Sequence, residues 1–113
     1  MLIVKSKVKD VVADNNIGGD VYDALSEMAK GLLNKAGQRA EANGRKTIKA
    51  RDMFLGDMIE EPMIVVKSKL GVEGMNTGGD LPAALNTRLV WIVQQAAKRA
   101  EANGRKTIQA KDL

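Results

Sequence analysis

Apolar residues recur at helical spacing in two long stretches of the chain. Tyr22, Leu25, Met28, Ala29, Leu32, Leu33, Ala36 and Ala40 form one stripe, and Leu81, Leu85, Leu89, Ile92, Val93, Ala96 and Ala100 form the other. The i, i+3, i+4 pattern predicts helices over about Val21–Asn43 and Leu81–Asn103. Asp20 and Asp80 are the expected caps after Gly-Gly breaks. Pro82 falls in a first turn, where its missing N–H costs nothing. Asn43-Gly44 and Asn103-Gly104 predict the stops, with glycine as the left-handed residue. Each helix is roughly 35 Å long at 1.5 Å per residue, too long for a unit of half this chain to cover, so each stripe demands a partner helix.

Shorter elements flank the long ones. Ser6 is the expected cap of a helix over about Lys7–Asp14, with Val8, Val11 and Val12 on one face. The matching stretch Lys69–Met75 contains Gly71 and Gly74, each costing about 1 kcal/mol of helix propensity, and predicts one frayed turn. Ile48 and Ile108, each beside a threonine, predict short extended pieces. A last helix is expected over about Ala50–Glu60, ending before Pro62. At the second copy, which ends at Leu113, only a one-turn stub is expected.

The chain contains an internal repeat. Arg39–Ile48 recurs letter for letter as Arg99–Ile108. Met1–Lys7 resembles Met63–Lys69 at an offset of 62, and Gly18-Gly19-Asp20 matches Gly78-Gly79-Asp80 at an offset of 60. Two units follow, residues 1–62 and 63–113, with Glu60-Glu61-Pro62 as the seam and Met63 as the relic of a second start. A period of this length signals a duplicated supersecondary unit. Units of this size bury too little surface to be stable alone.

Composition narrows the chemistry. The 113 residues include no Cys and no His. That excludes disulfides, the usual zinc sites, thiol chemistry and histidine acid–base catalysis. No apolar run reaches the ~18–20 residues of a membrane span, and no signal peptide is expected at the N-terminus. There is no nucleophile–base constellation, no metal cluster and no phosphate-cradling P-loop, so no enzyme and no cofactor are expected. Net charge is +4 and sits wholly in the second unit: residues 1–62 balance at ten and ten, while residues 63–113 carry eight basic and four acidic side chains. A basic balance points to a polyanion partner. Only three aromatic residues are present, which argues against stacking on single strands.

The order short helix, long helix, short helix, with Gly-Arg-Lys-Thr before the last, resembles the histone fold. The motif is Gly-Arg-Lys-Thr-Ile-Lys-Ala-Arg-Asp at 44–52 and Gly-Arg-Lys-Thr-Ile-Gln-Ala-Lys-Asp at 104–112. The likeness is to archaeal histones and to small histone-like proteins of bacteria, and covers nearly the whole chain. It implies an all-α fold of two tandem histone folds, paired antiparallel through their long helices as an intramolecular handshake pseudodimer, the last helix of copy two truncated. It also implies pairs of Arg45 with Asp52 and Arg105 with Asp112 as structural clamps. Lys46 and Lys106 would then face DNA phosphates, with Thr47 and Thr107 beside them and the two arginines as secondary contacts. Lys5, Ser6, Lys7, Lys67, Ser68 and Lys69 would form a second contact surface at the starts of the first helices.

The implied function is a nucleoid-associated cytoplasmic protein that binds double-stranded DNA through its backbone, without reading sequence, and bends or coats it. Asn16 and Asn76 stand where archaeal histones carry a minor-groove arginine. The monomeric pseudodimer leaves further assembly open. The alternative is a histone-fold protein-interaction module with little DNA affinity, its partner site the apolar stretch Met53–Ile59. Trp91 corresponds to Gly31, and a large residue facing a gap near the helix crossing would favour pairing within one chain.

Overall fold

The computed structural model describes residues 1–12, 14–53 and 56–113. Ala13, in the range expected for the first helix, and Phe54 and Leu55, in the range expected for the last, lie outside the described residues. The fold is α-type. Its helices are α1 (Lys5–Val8), α2 (Gly19–Ala42) and α3 (Leu81–Ala102). Among the described residues four two-residue strands accompany them: β1 (Asn16–Ile17), β2 (Thr47–Ile48), β3 (Asn76–Thr77) and β4 (Thr107–Ile108). Single 3-10 turns cover Lys9–Val11, Ala50–Asp52, Lys67–Lys69 and Ala110–Asp112.

The long helices pack against each other and carry the core. Leu25, Ala29, Leu33 and Ala36 of α2 and Leu85, Leu89, Val93 and Ala96 of α3 are buried, and Val8, Ile48, Ile64 and Ile108 close the same cluster. The strands pair across the repeat. β1 lies parallel to β4 and β2 parallel to β3. β1 precedes α2 and β4 follows α3, so the start of α2 shares an end of the molecule with the finish of α3. The helices therefore run in opposite senses, and the two strand pairs sit at opposite ends of a body 47 × 23 × 23 Å in extent. Midway, an antiparallel bridge joins Ile3 to Val65, with Val4 N–H on Ile64 O at 2.7 Å and Val66 N–H on Leu2 O at 2.8 Å.

Glycine sets the ends of these elements. Gly44 and Gly104 have φ of 71° and 72°. Each donates its N–H two residues past the last helical turn, Gly44 to Glu41 O at 2.9 Å and Gly104 to Glu101 O at 3.0 Å, while Arg45 and Arg105 donate to Ala40 O and Ala100 O at 2.9 Å. This pair of bonds is a Schellman stop, which satisfies carbonyls the helix leaves free. Gly18 and Gly78 serve a different need. A Cβ on Gly18 would meet Ile108 O at 2.8 Å, and one on Gly78 would meet Ile48 O at 3.0 Å. Those same carbonyls accept the glycine N–H groups at 2.7 Å.

Several sequence expectations require correction. α1 starts at Lys5 with Val4 as its cap, and Lys67–Lys69 is capped by Val66, so Ser6 and Ser68 lie inside their turns and cap nothing. The bridge at Ile3 and Val65 fixes extended backbone up to Val4 and Val66 and so sets the start. Beyond Val8 the first helix tightens into a 3-10 turn, and of Lys69–Met75 only Lys69, the end of the Lys67–Lys69 turn, is helical.

Asp20 sits within α2, whose cap is Gly18, and Asp80 caps α3 by position without a side-chain bond. Their carboxylates reach across the repeat instead: Asp80 Oδ1 accepts Ala50 N–H at 3.2 Å and Asp20 Oδ1 accepts Ala110 N–H at 3.3 Å.

The helix expected over Ala50–Glu60 is a single 3-10 turn, Ala50–Asp52. Gly56 at φ 149° and the following residues are not helical. Met53, Ile59 and Pro62 are tied to α3 by hydrogen bonds. Arg88 Nη1 donates to Met53 O (3.2 Å), Ile59 N–H to Thr87 Oγ1 (2.6 Å), and Asn86 Nδ2 to Ile59 O and Pro62 O (2.7 and 3.0 Å). These α3 side chains take up backbone groups of Met53, Ile59 and Pro62. Met53 is buried and Met58 and Ile59 are packed on the core, so among the described residues of Met53–Ile59 no exposed apolar helix face exists.

Gly31 and Trp91 do not meet at the helix crossing. A Cβ on Gly31 would touch nothing within 4 Å, and Trp91 is 57% exposed.

Candidate nucleic-acid interface

Each end of the molecule joins a glycine-containing loop to a Gly-Arg-Lys-Thr loop. At one end Thr47 is in register with Asn76 and Ile48 with Thr77. At the other, Asn16 is in register with Thr107 and Ile17 with Ile108. Asn76 N–H donates to Lys46 O at 2.7 Å and Asn16 N–H to Lys106 O at 2.9 Å. The backbone of each candidate lysine is thereby held by the opposite half of the chain. Ile48 and Ile108, wholly buried, anchor the loops from beneath.

The motif arginine turns inward. Arg45 makes a bidentate pair with Asp52, Nη1 to Oδ2 at 2.9 Å and Nη2 to Oδ1 at 2.5 Å, and Nη1 also donates to Thr47 O at 3.0 Å. Arg105 repeats this with Asp112 at 2.8 and 2.8 Å, and with Thr107 O at 3.2 Å. The carboxylates are buried and each also accepts a backbone N–H at 2.8 Å, from Lys49 and from Gln109. The hydrogen bonds and charge of the guanidinium hold both Asp52 and Asp112 down at about 2, against the desolvation that would raise them. The same bonds raise Arg45 and Arg105. Bidentate geometry fixes the arginine fork and leaves it committed to its partner.

The next residue turns outward. Lys46 and Lys106 are exposed, and Thr47 and Thr107 are half-buried beside them. Each end thus presents a free ammonium on a loop whose backbone is tied on two sides. Lys5, Ser6, Lys7, Lys67, Ser68 and Lys69 are all exposed and flank the Ile3–Val65 bridge on its two sides. Their elements are single turns, so a helix dipole adds little there and the lysine charges are what they offer. Lys5 Nζ lies 5.6 Å from the centroid of the Tyr22 ring. Asn16 and Asn76 are exposed at the strand junctions, small and uncharged.

Three further groups belong to the site. Arg39 and Arg99 each donate Nη1 to a carbonyl in the last turn, Asp52 O and Asp112 O, at 2.7 Å. Their place inside the exact repeat was the available signal. Asp20 and Asp80 tie the far half to Ala110 and Ala50, a role that no local spacing reveals. Lys49, Arg51 and Lys111 are exposed next to the clamped aspartates. They lie in the copied motif, yet Lys49 is replaced by Gln109 in the second copy.

Among the described residues no group of three or more metal-ligating side chains is present, and no helix is long and apolar enough to cross a membrane. No protein-family model matches the chain, and no curated protein matches it. Among solved structures the chain is similar to the histone from Methanopyrus kandleri, with 19% sequence identity and a TM-score of 0.62 over 97% of this chain and 89% of that one. The fold is accordingly a histone fold.

Proposed function

We propose that residues 1–62 and 63–113 are two tandem histone-fold units, closed on each other in an antiparallel handshake, and that the resulting body binds double-stranded DNA through its phosphates without reading sequence. The carrying observation is the division of labour in Gly-Arg-Lys-Thr. The arginine is consumed by Asp52 or Asp112, and the adjacent lysine stands free on a loop fixed by the other half. The two lysine loops lie at opposite ends of the long helices, roughly 35 Å apart. That is close to one turn of duplex, a spacing that suits both loops to one stretch of backbone. Phosphate contacts of this kind position a protein on DNA and carry no sequence information. Asn16 and Asn76 offer no cation to the minor groove, which supports bending or coating over tight wrapping. In this reading the protein is a nucleoid-associated binding protein of a prokaryotic cytoplasm, not an enzyme.

The test is anisotropy of a labelled generic duplex with wild type and with Lys46→Glu plus Lys106→Glu. Each phosphate contact is worth roughly tenfold in affinity at 0.1 M salt. The double variant is expected to bind at least ~50-fold more weakly at unchanged thermal stability. Equal binding by the two proteins would remove the loops from the interface. A second reading, a histone-fold module for a protein partner, is favoured by one observation: Trp91 is 57% exposed on α3. A wild type that ignores duplex at low salt would turn the search to that side chain.

A further inference from the structure

Each lysine loop is held by a ladder from the opposite half, and an aspartate supplies its last rung. At the β2–β3 end Asn76 N–H donates to Lys46 O (2.7 Å), Gly78 N–H to Ile48 O (2.7 Å), and Ala50 N–H to Asp80 Oδ1 (3.2 Å). At the β1–β4 end Asn16 N–H donates to Lys106 O (2.9 Å), Gly18 N–H to Ile108 O (2.7 Å), and Ala110 N–H to Asp20 Oδ1 (3.3 Å). The rungs fall at every second residue of the basic loop, so the carboxylate takes the place of a strand carbonyl. The glycine two residues before each aspartate leaves room for this: a Cβ there would meet Asp20 Oδ1 at 3.0 Å or Asp80 Oδ1 at 3.2 Å. The rung carries the hold of the opposite half past Ile48 and Ile108, into the turns that bear Arg51 and Lys111. Charge does not account for the two aspartates. Both are exposed, and among the described residues neither is in an ion pair. An acid beside a phosphate site opposes binding. Other charges near the loops change between the copies: Asp14 corresponds to Gly74, Asp23 to Ala83 and Lys49 to Gln109. Asp20 and Asp80 stand at matched positions and make matched bonds.

We infer that Asp20 and Asp80 are positioning residues of the DNA interface: each fixes a lysine loop of the other half and raises affinity for duplex in spite of its charge. The inference rests on the DNA reading and adds the side chains that hold the contacting loops in place. Replacing the aspartate by asparagine removes the charge and keeps the acceptor. Replacing it by alanine removes both, so the difference between the two variants isolates the rung.

Anisotropy with a labelled generic duplex tests it. Asp80 is exposed and outside the core, so both variants keep the fold. At about 0.1 M salt Asp80→Asn is expected to bind at least as tightly as wild type, and Asp80→Ala at least ~5-fold more weakly than Asp80→Asn. The slope of log K against log salt is expected to be shallower by about 1 in Asp80→Ala and unchanged in Asp80→Asn, a readout that a bond serving stability alone would not move. In a Lys46→Gln background the gap between the two Asp80 variants should shrink below ~2-fold, because changes that act through one contact do not add. Asp20 with Lys106 is expected to repeat the pattern. Equal binding by Asp80→Asn and Asp80→Ala, or a gap that survives in full without Lys46, would overturn the positioning role and leave the DNA reading standing. No binding by wild type at about 50 mM salt would overturn both.

Discussion

Asn86 holds the seam between the two halves, and its replacement measures how much that seam matters. The side chain is wholly buried in α3 and makes three bonds: Oδ1 accepts Ile64 N–H at 2.8 Å, and Nδ2 donates to Ile59 O at 2.7 Å and Pro62 O at 3.0 Å. Its counterpart in α2 is Ser26, whose Oγ accepts Leu2 N–H at 3.0 Å. The first unit thus has the same acceptor without the two donors. In Asn86→Ala the N–H of Ile64, a fully buried residue, loses its partner, at a cost of about 1–3 kcal/mol. The carbonyls of Ile59 and Pro62 belong to half-buried residues that water reaches, so each lost bond costs only about 0.5–1.5 kcal/mol. The sum is about 4 kcal/mol. Asn86→Ser keeps an acceptor and loses the two donors, for about 2 kcal/mol. The unfolding entropy of a chain of 113 residues is about 0.24 kcal/mol/K, so thermal midpoints should fall by about 17 °C for Asn86→Ala and about 8 °C for Asn86→Ser. Circular dichroism melts measure both. A midpoint for Asn86→Ala within about 3 °C of wild type, or one above that of Asn86→Ser, would refute the reasoning.

Glycine replacements should differ in sign. Gly31→Ala, with open space around a new Cβ in mid-helix, is expected to raise stability by about 0.5–1 kcal/mol, whereas Gly18→Ala drives a Cβ into Ile108 O and should lower the melting midpoint by several degrees. The Arg–Asp pairs predict an acid window. Asp52 and Asp112 have folded values near 2, below the ordinary 3.8, so their stabilisation is fully present above about pH 4 and is lost as pH falls through about 2. Urea midpoints should drop across that window in wild type and drop less in Asp52→Asn with Asp112→Asn, which starts lower at pH 6. Parallel declines would contradict the assignment.

The long helices and their stops were legible because the signals are local: a 3.6-residue stripe, and Asn-Gly placed where a left-handed residue ends it. The extended pieces at Ile48 and Ile108 were legible from their threonine neighbours. Misreadings fell where the deciding partner is remote. Asp20 read as the cap of its own helix but lies inside it, and Asp80 holds the cap position without a side-chain bond there; their carboxylates bond Ala110 and Ala50, 90 and 30 residues away. Met53, Met58 and Ile59 suit a helix face and a half-buried strap equally well, and the choice was made by Asn86, Thr87 and Arg88 on α3. Ser6 is a good cap by type, yet the bridge between Ile3 and Val65 starts the turn before it. Trp91 faces solvent because the crossing is packed by residues on the opposite stripe of α3. At the candidate interface the arginine and lysine are adjacent in sequence; the likeness to histones implied an arginine paired with the aspartate seven residues on, and the structure places Arg45 on Asp52 and Arg105 on Asp112.

The central claim is phosphate binding by a fixed set of lysines, and the salt dependence of wild-type affinity for a generic duplex tests it most directly. With four to six phosphates neutralised by the two loops and the central lysines, log K against log salt should be linear with a slope of about −4 to −5, equally for unrelated sequences. A slope near zero, or binding confined to one sequence, would contradict the account.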